Sequence, residues 1–211
     1  MKVRTSTEAH EKLNDEIAWR KKEIINLRNR LSLSSGFDAQ TLSKCIVLIS
    51  YSHWEGFVKN ASVIYLTYVK TVASNPSNFS NALKASLLAW YFSIENKSIL
   101  SKIEVIENKI WGTEKLNFYI KDMCSTESNL NYNVLQKILY SMGIHTDVFD
   151  LKKNYIDETI LGNRNAIAHG EQRESLSTSQ AQDIAKEVLV LLDWFKTEID
   201  NAIDSSKWKK S

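Results

Sequence analysis

One proline and six glycines in 211 residues leave this chain few places to turn. A β-sandwich or barrel asks for a turn roughly every 8–12 residues, so the scarcity points to long helices joined by short loops. At this length a chain can bury one sizeable core. With 43% hydrophobic and 25% charged residues it has the composition of an ordinary globular protein rather than a disordered one. The expectation is an all-α fold, a helical bundle of four to five main helices, with residues 1–211 forming a single domain.

Periodicity places the helices. From about Thr7 to Leu31, Leu13, Ile17, Ile24, Leu27 and Leu31 recur at three- and four-residue spacings, and Arg20 fills the missing slot. Gly36 allows a turn. Ala39 to Ala73 then reads as one long helix, apolar on more than one side and therefore central, ended by Asn75-Pro76-Ser77-Asn78. Leu83 to Phe92 suggests a short helix and Ile99 to Ile110 another short element, while Gly112 to Asn131 is polar and reads as a loop or variable insert. Val134 to Met142 is helical again, capped by Gly143. Tyr155 to Ala168 forms the next helix, with Ile156, Ile160 and Ile167 inward and Gly170 as its stop. A capping box, Ser177-x-x-Gln180, opens a last helix with Ile184, Val188, Leu191, Phe195, Ile199 and Ala202 on one face.

The net charge of +2 sets up no global field for nucleic acid, so any such contact relies on local basic groups. Cys45 and Cys124 fit neither a metal spacing nor a disulfide framework. No apolar stretch follows the basic residues near Met1, and Ile46–Ile49 is far too short to cross a bilayer, so a cytoplasmic protein without membrane contact is expected. No two histidines lie at metal-ligand spacing, and no glycine-rich phosphate loop occurs, so neither metal nor cofactor is expected. The Lys207-Trp-Lys-Lys210 tail reads as solvated and mobile.

The sharpest constellation is Arg164-Asn165-Ala166-Ile167-Ala168-His169-Gly170 at a helix end. Arginine can hold a phosphate in a fork, an amide can orient it, and histidine can move a proton near neutral pH. Asn165 and His169 are four apart and share a face, whereas Arg164 lies about 140° around the helix from His169. Either the arginine reaches over, or a neighbouring subunit supplies the complementary groups. The bland alternative is a surface arginine near a helix-capping histidine. Arg4 and His10 satisfy the same spacing, but at a terminus expected to fray.

Arg-Asn-x-x-Ala-His-Gly, following a helix that begins Ile156-Asp157-Glu158, resembles the HEPN superfamily of ribonucleases and RNA-associated modules. The segment Tyr51-Ser-His-Trp-Glu-Gly-Phe-Val-Lys59 resembles its MAE-like branch. The resemblance covers about Glu8 to Ile203. It implies an HEPN-like helical bundle, a homodimer with the two motifs facing each other, and metal-independent RNA cleavage. It also implies a place in toxin–antitoxin or anti-phage systems, with a possible antitoxin or nucleotidyltransferase partner. Carried onto this chain, Arg164 and His169 are the catalytic pair and Asn165 the supporting polar residue. Glu55 is either a buried polar group behind the site or an ion pair with Lys59. The competing reading is a non-catalytic module that binds RNA, a nucleotide or a partner protein through the same surface.

Overall fold

The computed structural model describes residues 2–73, 76–94, 98–110, 120–127, 129–171 and 176–210. Helices α1 (Ser6–Ser32) and α2 (Gly36–Val72) follow the first two periodic segments within a few residues. They are succeeded by α3 (Asn81–Ile94) and α4 (Ile99–Val105), the latter prolonged by a π-helical stretch, Ile106–Ile110. α5 is a single turn, Ile120–Met123, and α6 spans Tyr132–Ser141. A second π-helical stretch, Tyr155–Leu161, leads into α7 (Gly162–Ala168). α8 (Thr178–Asp204) starts from the expected capping box, with Ser177 and Gln180 each bonding the other's backbone N–H. The only β pairing among the described residues is an isolated bridge between Phe79 and Lys209. The expected 112–131 loop lies outside the described residues as far as position 119, and from Ile120 it is a helical turn followed by a segment packed on the bundle.

α2 is the centre because its apolar residues surround it. Ile46, Val47, Trp54, Phe57, Val58, Ala61, Leu66 and Val69 are all buried, more than one stripe can account for. α1 lays Leu13, Ile17, Ile24 and Leu31 against it, and α8 lays down all six residues expected on its inner face. Trp54 meets Phe195 edge-to-face at 6.0 Å, and Phe57 meets the same ring at 6.2 Å. α1 and α8 run antiparallel, in a register marked by Lys21 on Asp193 and by Arg28 exchanging bonds with Gln182.

Arg20 occupies a slot that periodicity reserves for an apolar residue, and it is buried, 5% exposed. Its Nη2 donates to Glu16 at 2.9 Å, and its guanidinium lies over the Trp19 ring at 4.4 Å. Gly56 on α2 makes the room, since a Cβ there would stand 2.8 Å from Nη1. Beside it His53 has Nε2 2.9 Å from a Glu23 oxygen, close enough for ion pairing but without hydrogen-bond alignment. Burial lowers the His53 pKa, and Arg20 pushes the same way against Glu23.

Two expectations about the ends need correction. His10 does not sit on a frayed terminus: its Nδ1 and Nε2 lie 2.8 and 2.9 Å from Asp200 and Asp204 of α8. With both nitrogens engaged, the Arg4–His10 pattern cannot present a free imidazole. The basic tail is likewise docked. Trp208 is buried, its carbonyl accepts from Ser80 N–H at 2.7 Å, and Lys210 N–H donates to the Asn78 carbonyl at 2.8 Å. Backbone pairing with the start of α3 recruits a segment that carries no helical period of its own.

Burial alone would lower the His10 pKa, but the two α8 carboxylates outweigh it and raise it above the ordinary value. A raised folded pKa stabilises fully below the unfolded value of about 6.5, and that contribution is lost as pH rises through the folded pKa. Replacing His10 by glutamine therefore opens a stability gap from wild type that is widest at low pH and narrows at alkaline pH. Urea melts at roughly pH 5.5 and 8.5 measure it, and an equal gap at both would reject the bridge.

Candidate functional site

α7 is set at the end of a π-helical run, in which each hydrogen bond spans one residue more than in an α-helix. That register buries Ile156, Ile160 and Leu161 and then Ala166, with Ile167 packed on the core. Arg164 and Asn165 are left half-buried, while Ala168, His169 and Gly170 are exposed. The helix closes by a Schellman pair: Gly170 N–H bonds the Ile167 carbonyl and Glu171 N–H the Ala166 carbonyl. Gly170 has φ +68°, the left-handed conformation that a side chain resists. α6 ends by the same pair of bonds, at Gly143 and Ile144. His169 is thus the last residue before the turn, its backbone N–H bonded to the Asn165 carbonyl and its ring free of hydrogen bonds among the described residues.

Arg164 points the other way, into the bundle surface. Its Nη1 donates to Asn165 Oδ1 at 2.7 Å and to Asn129 Oδ1 at 3.1 Å. Its Cζ stands 4.8 Å from the centre of the Tyr51 ring on α2, within the range of a cation–π contact worth about 1–2 kcal/mol when partly desolvated. Tyr51 is buried, and its hydroxyl accepts the Leu130 N–H at 2.7 Å. One turn along α2, Glu55 accepts the Thr126 hydroxyl at 2.6 Å. Burial, with Glu55 adding to it, pushes the Tyr51 phenol up to about 12 against the Leu130 N–H and Arg164. The ring is therefore neutral at physiological pH and offers Arg164 its electron-rich face without a counter-charge.

The arrangement joins residues that the chain order keeps apart. Arg164 and Asn165 are hydrogen-bonded to each other, while His169 makes no side-chain contact with either. Glu55, on α2, is bonded to the strap that carries Thr126, Asn129 and Leu130, and no ion pair joins it to Lys59. Tyr51, Thr126 and Asn129 carry no sequence signal for this place: they lie in different segments, and only the folded backbone brings them to Arg164. The Asn165 side chain accepts from Arg164, and no hydrogen bond joins it to the His169 ring. Cys124 is buried, and its thiol is pushed up to about 12 by burial against the opposing charge of Lys59, so it offers no thiolate at neutral pH. Asp157, from the segment ahead of the motif, accepts the Tyr132 N–H at the start of α6 and is thereby a capping residue.

Among the described residues no three His, Cys, Asp or Glu side chains converge as metal ligands would, and no helix is long and apolar enough to cross a membrane. The family model described as RiboL-PSP-HEPN matches residues 15–201, which takes in α2, the strap and α7. The chain belongs to this family. The match places it in the HEPN superfamily, at the level of RiboL-PSP-HEPN. No curated protein and no solved structure matches the chain. All the residues that surround Arg164 fall within the matched HEPN span.

A Cβ built on Gly170 meets nothing within 4 Å, so Gly170→Ala is opposed by backbone conformation alone. The expected loss is about 1 kcal/mol, and Gly170→Asn should lose less, because asparagine tolerates the left-handed region. Chemical denaturation of the two variants checks the order, and a neutral Gly170→Ala would contradict the Schellman closure.

Proposed function

We propose that this HEPN protein, acting as one helical domain and as a homodimer in the cytoplasm, is a metal-independent endoribonuclease. The observation that carries the reading is a half-buried arginine with no carboxylate partner among the described residues, one turn from an exposed histidine whose ring makes no hydrogen bond among them. The described partners of Arg164 are two amide oxygens and a neutral ring, which leave its positive charge to be met by an anion. RNA supplies both the anion and its own nucleophile.

In this scheme His169 takes the proton from the 2′-hydroxyl, whose oxygen attacks the adjacent phosphorus. Arg164 holds the non-bridging oxygens and neutralises charge as the phosphorane forms. The P–O5′ bond breaks, and a protonated His169 from the second copy delivers a proton to the leaving oxygen. The products are a 2′,3′-cyclic phosphate and a 5′-hydroxyl. Two copies are invoked because Arg164 and His169 lie about 140° apart around one helix, and because one histidine cannot be acid and base at once. Asn165, with Oδ1 committed to Arg164, keeps its NH2 group for a phosphate or sugar oxygen. The likeness of Tyr51–Lys59 to the MAE-like branch adds a defence or toxin–antitoxin setting, in which an antitoxin or nucleotidyltransferase partner restrains the nuclease.

Purified protein incubated with mixed cellular RNA in excess EDTA should leave cyclic-phosphate ends. His169→Ala should lower the rate by roughly 10²–10⁴-fold with dimer and fold intact. Binding retained by wild type without any turnover would favour the non-catalytic module, a reading that the near-neutral net charge leaves in contention. Cleavage unchanged in His169→Ala would reject the mechanism.

A further inference from the structure

The two hydrogens on Arg164 Nη1 are both spent, one on Asn165 and one on Asn129. Nη1 is the terminal nitrogen on the same side as Cδ, so the end-on fork formed by Nη1 and Nη2 is closed to a ligand. What stays open is the side edge, where Nε–H and one Nη2–H point in parallel. No hydrogen bond from either nitrogen exists among the described residues. The guanidinium carbon stands over the Tyr51 ring, 4.8 Å from its centre. The group is therefore constrained in two independent ways: the ring holds its carbon, and the two amide oxygens limit its rotation.

The fixing residues are themselves fixed. Asn129 belongs to a strap pinned at two points on α2, by the Leu130 N–H on the Tyr51 hydroxyl and by the Thr126 hydroxyl on Glu55. Tyr51 thus serves the strap with its hydroxyl and the arginine with its face. A strap docked in this way holds the Asn129 oxygen 3.1 Å from Nη1. Both partners of Arg164 are uncharged at neutral pH, so they orient the cation without neutralising it.

We propose that Tyr51 and Asn129 are positioning residues that present the Nε–Nη2 edge of Arg164 to a phosphate group, so that two oxygens of one phosphate are bound side-on. The inference rests on the nuclease reading for its purpose, but the geometry it asserts concerns any phosphate. Side-on seating also explains the role of the strap: it supplies one of the two oxygens that close the wrong edge. Losing the ring lets the guanidinium tilt, and losing the Asn129 oxygen lets it rotate. A displacement on the order of 1 Å at such a group can cost roughly 10²-fold in rate.

The test compares Tyr51→Phe with Tyr51→Leu. Both lose the hydroxyl that accepts from Leu130, so both suffer the same damage to the strap, and only the leucine variant loses the aromatic face. The Arg164 Nε–Hε resonance is followed by NMR while inorganic phosphate is titrated into the intact protein. Wild type and Tyr51→Phe should show a resolved signal that shifts with phosphate. Tyr51→Leu should need about tenfold more phosphate or show no shift, in line with the loss of one cation–π contact. Asn129→Ala, which leaves α2 untouched, should weaken the same response and carries the test if Tyr51→Leu does not fold. On RNA, kcat of Tyr51→Leu should fall roughly 10- to 100-fold below that of Tyr51→Phe, with KM within about threefold, as expected when transition-state contacts are lost. A phosphate response in Tyr51→Leu and Asn129→Ala equal to that of wild type overturns the inference. If wild type cuts no RNA while the phosphate response follows the ring, the nuclease reading falls and the positioning stands.

Discussion

A helix with apolar side chains around most of its circumference can be kept from water only by other helices packed along its length. α2 is such a helix, and at 37 residues it extends about 55 Å. Its burial dictates the rest: α1 and α8 cover it as an antiparallel pair, and α7 and the strap cover what they leave. Trp54 and Phe57 at its middle both meet Phe195 of α8 edge-to-face. A polar surface built on α2 therefore inherits a rigid backbone. Tyr51 and Glu55 project from the segment that includes the fully buried Trp54, so the ring under Arg164 and the anchor of the strap are both set by the core of the bundle.

The interior admits charge in two ways that differ in purpose. Arg20, buried between α1 and α2, has Glu16 as a direct ionic partner, with Glu23 answering the adjacent His53. Its charge is answered on the spot, and the small Gly56 gives it space. Arg164 is half-buried with no ion-pair partner among the described residues, held by Asn129, Asn165 and the Tyr51 ring. A structural arginine is stabilised by a carboxylate that removes its field. For the role proposed for Arg164, receiving an anion, neutral partners serve better, because a carboxylate would compete with an incoming phosphate.

How much of this was legible depends on whether the information is local. The stripe Leu13–Leu31, the length of α2, the inner face of α8 and the capping box at Ser177 are all encoded within a few turns, and they were readable as periodicity. The stop at Gly170 was readable too, since glycine is the residue that tolerates the left-handed turn. Arg164, Asn165 and His169 could be picked out as a chemical set from their spacing. Their surroundings could not. Asn129 lies 35 residues from Arg164, and Leu130 lies 79 from Tyr51, and no pattern within either segment names the other. The same holds for His10 on α8 and for Trp208 on the start of α3. Periodicity tells which face of a segment is buried, while the partner on the far side is chosen by the packing of the whole chain.

The direction of the two motif side chains completes the argument. Arg164 turns inward to a seat made by α2 and the strap, and His169 stays at the exposed rim of a closed helix end. A monomer that needed both on one phosphate would have to turn Arg164 out of that seat, away from Asn129, Asn165 and the Tyr51 ring. In the proposed dimer, a second copy at the same rim would need no such distortion and would add a second histidine opposite the first while leaving each arginine in its own seat. The inward seat that would make one subunit insufficient for the proposed acid–base chemistry is also what holds Arg164 in place.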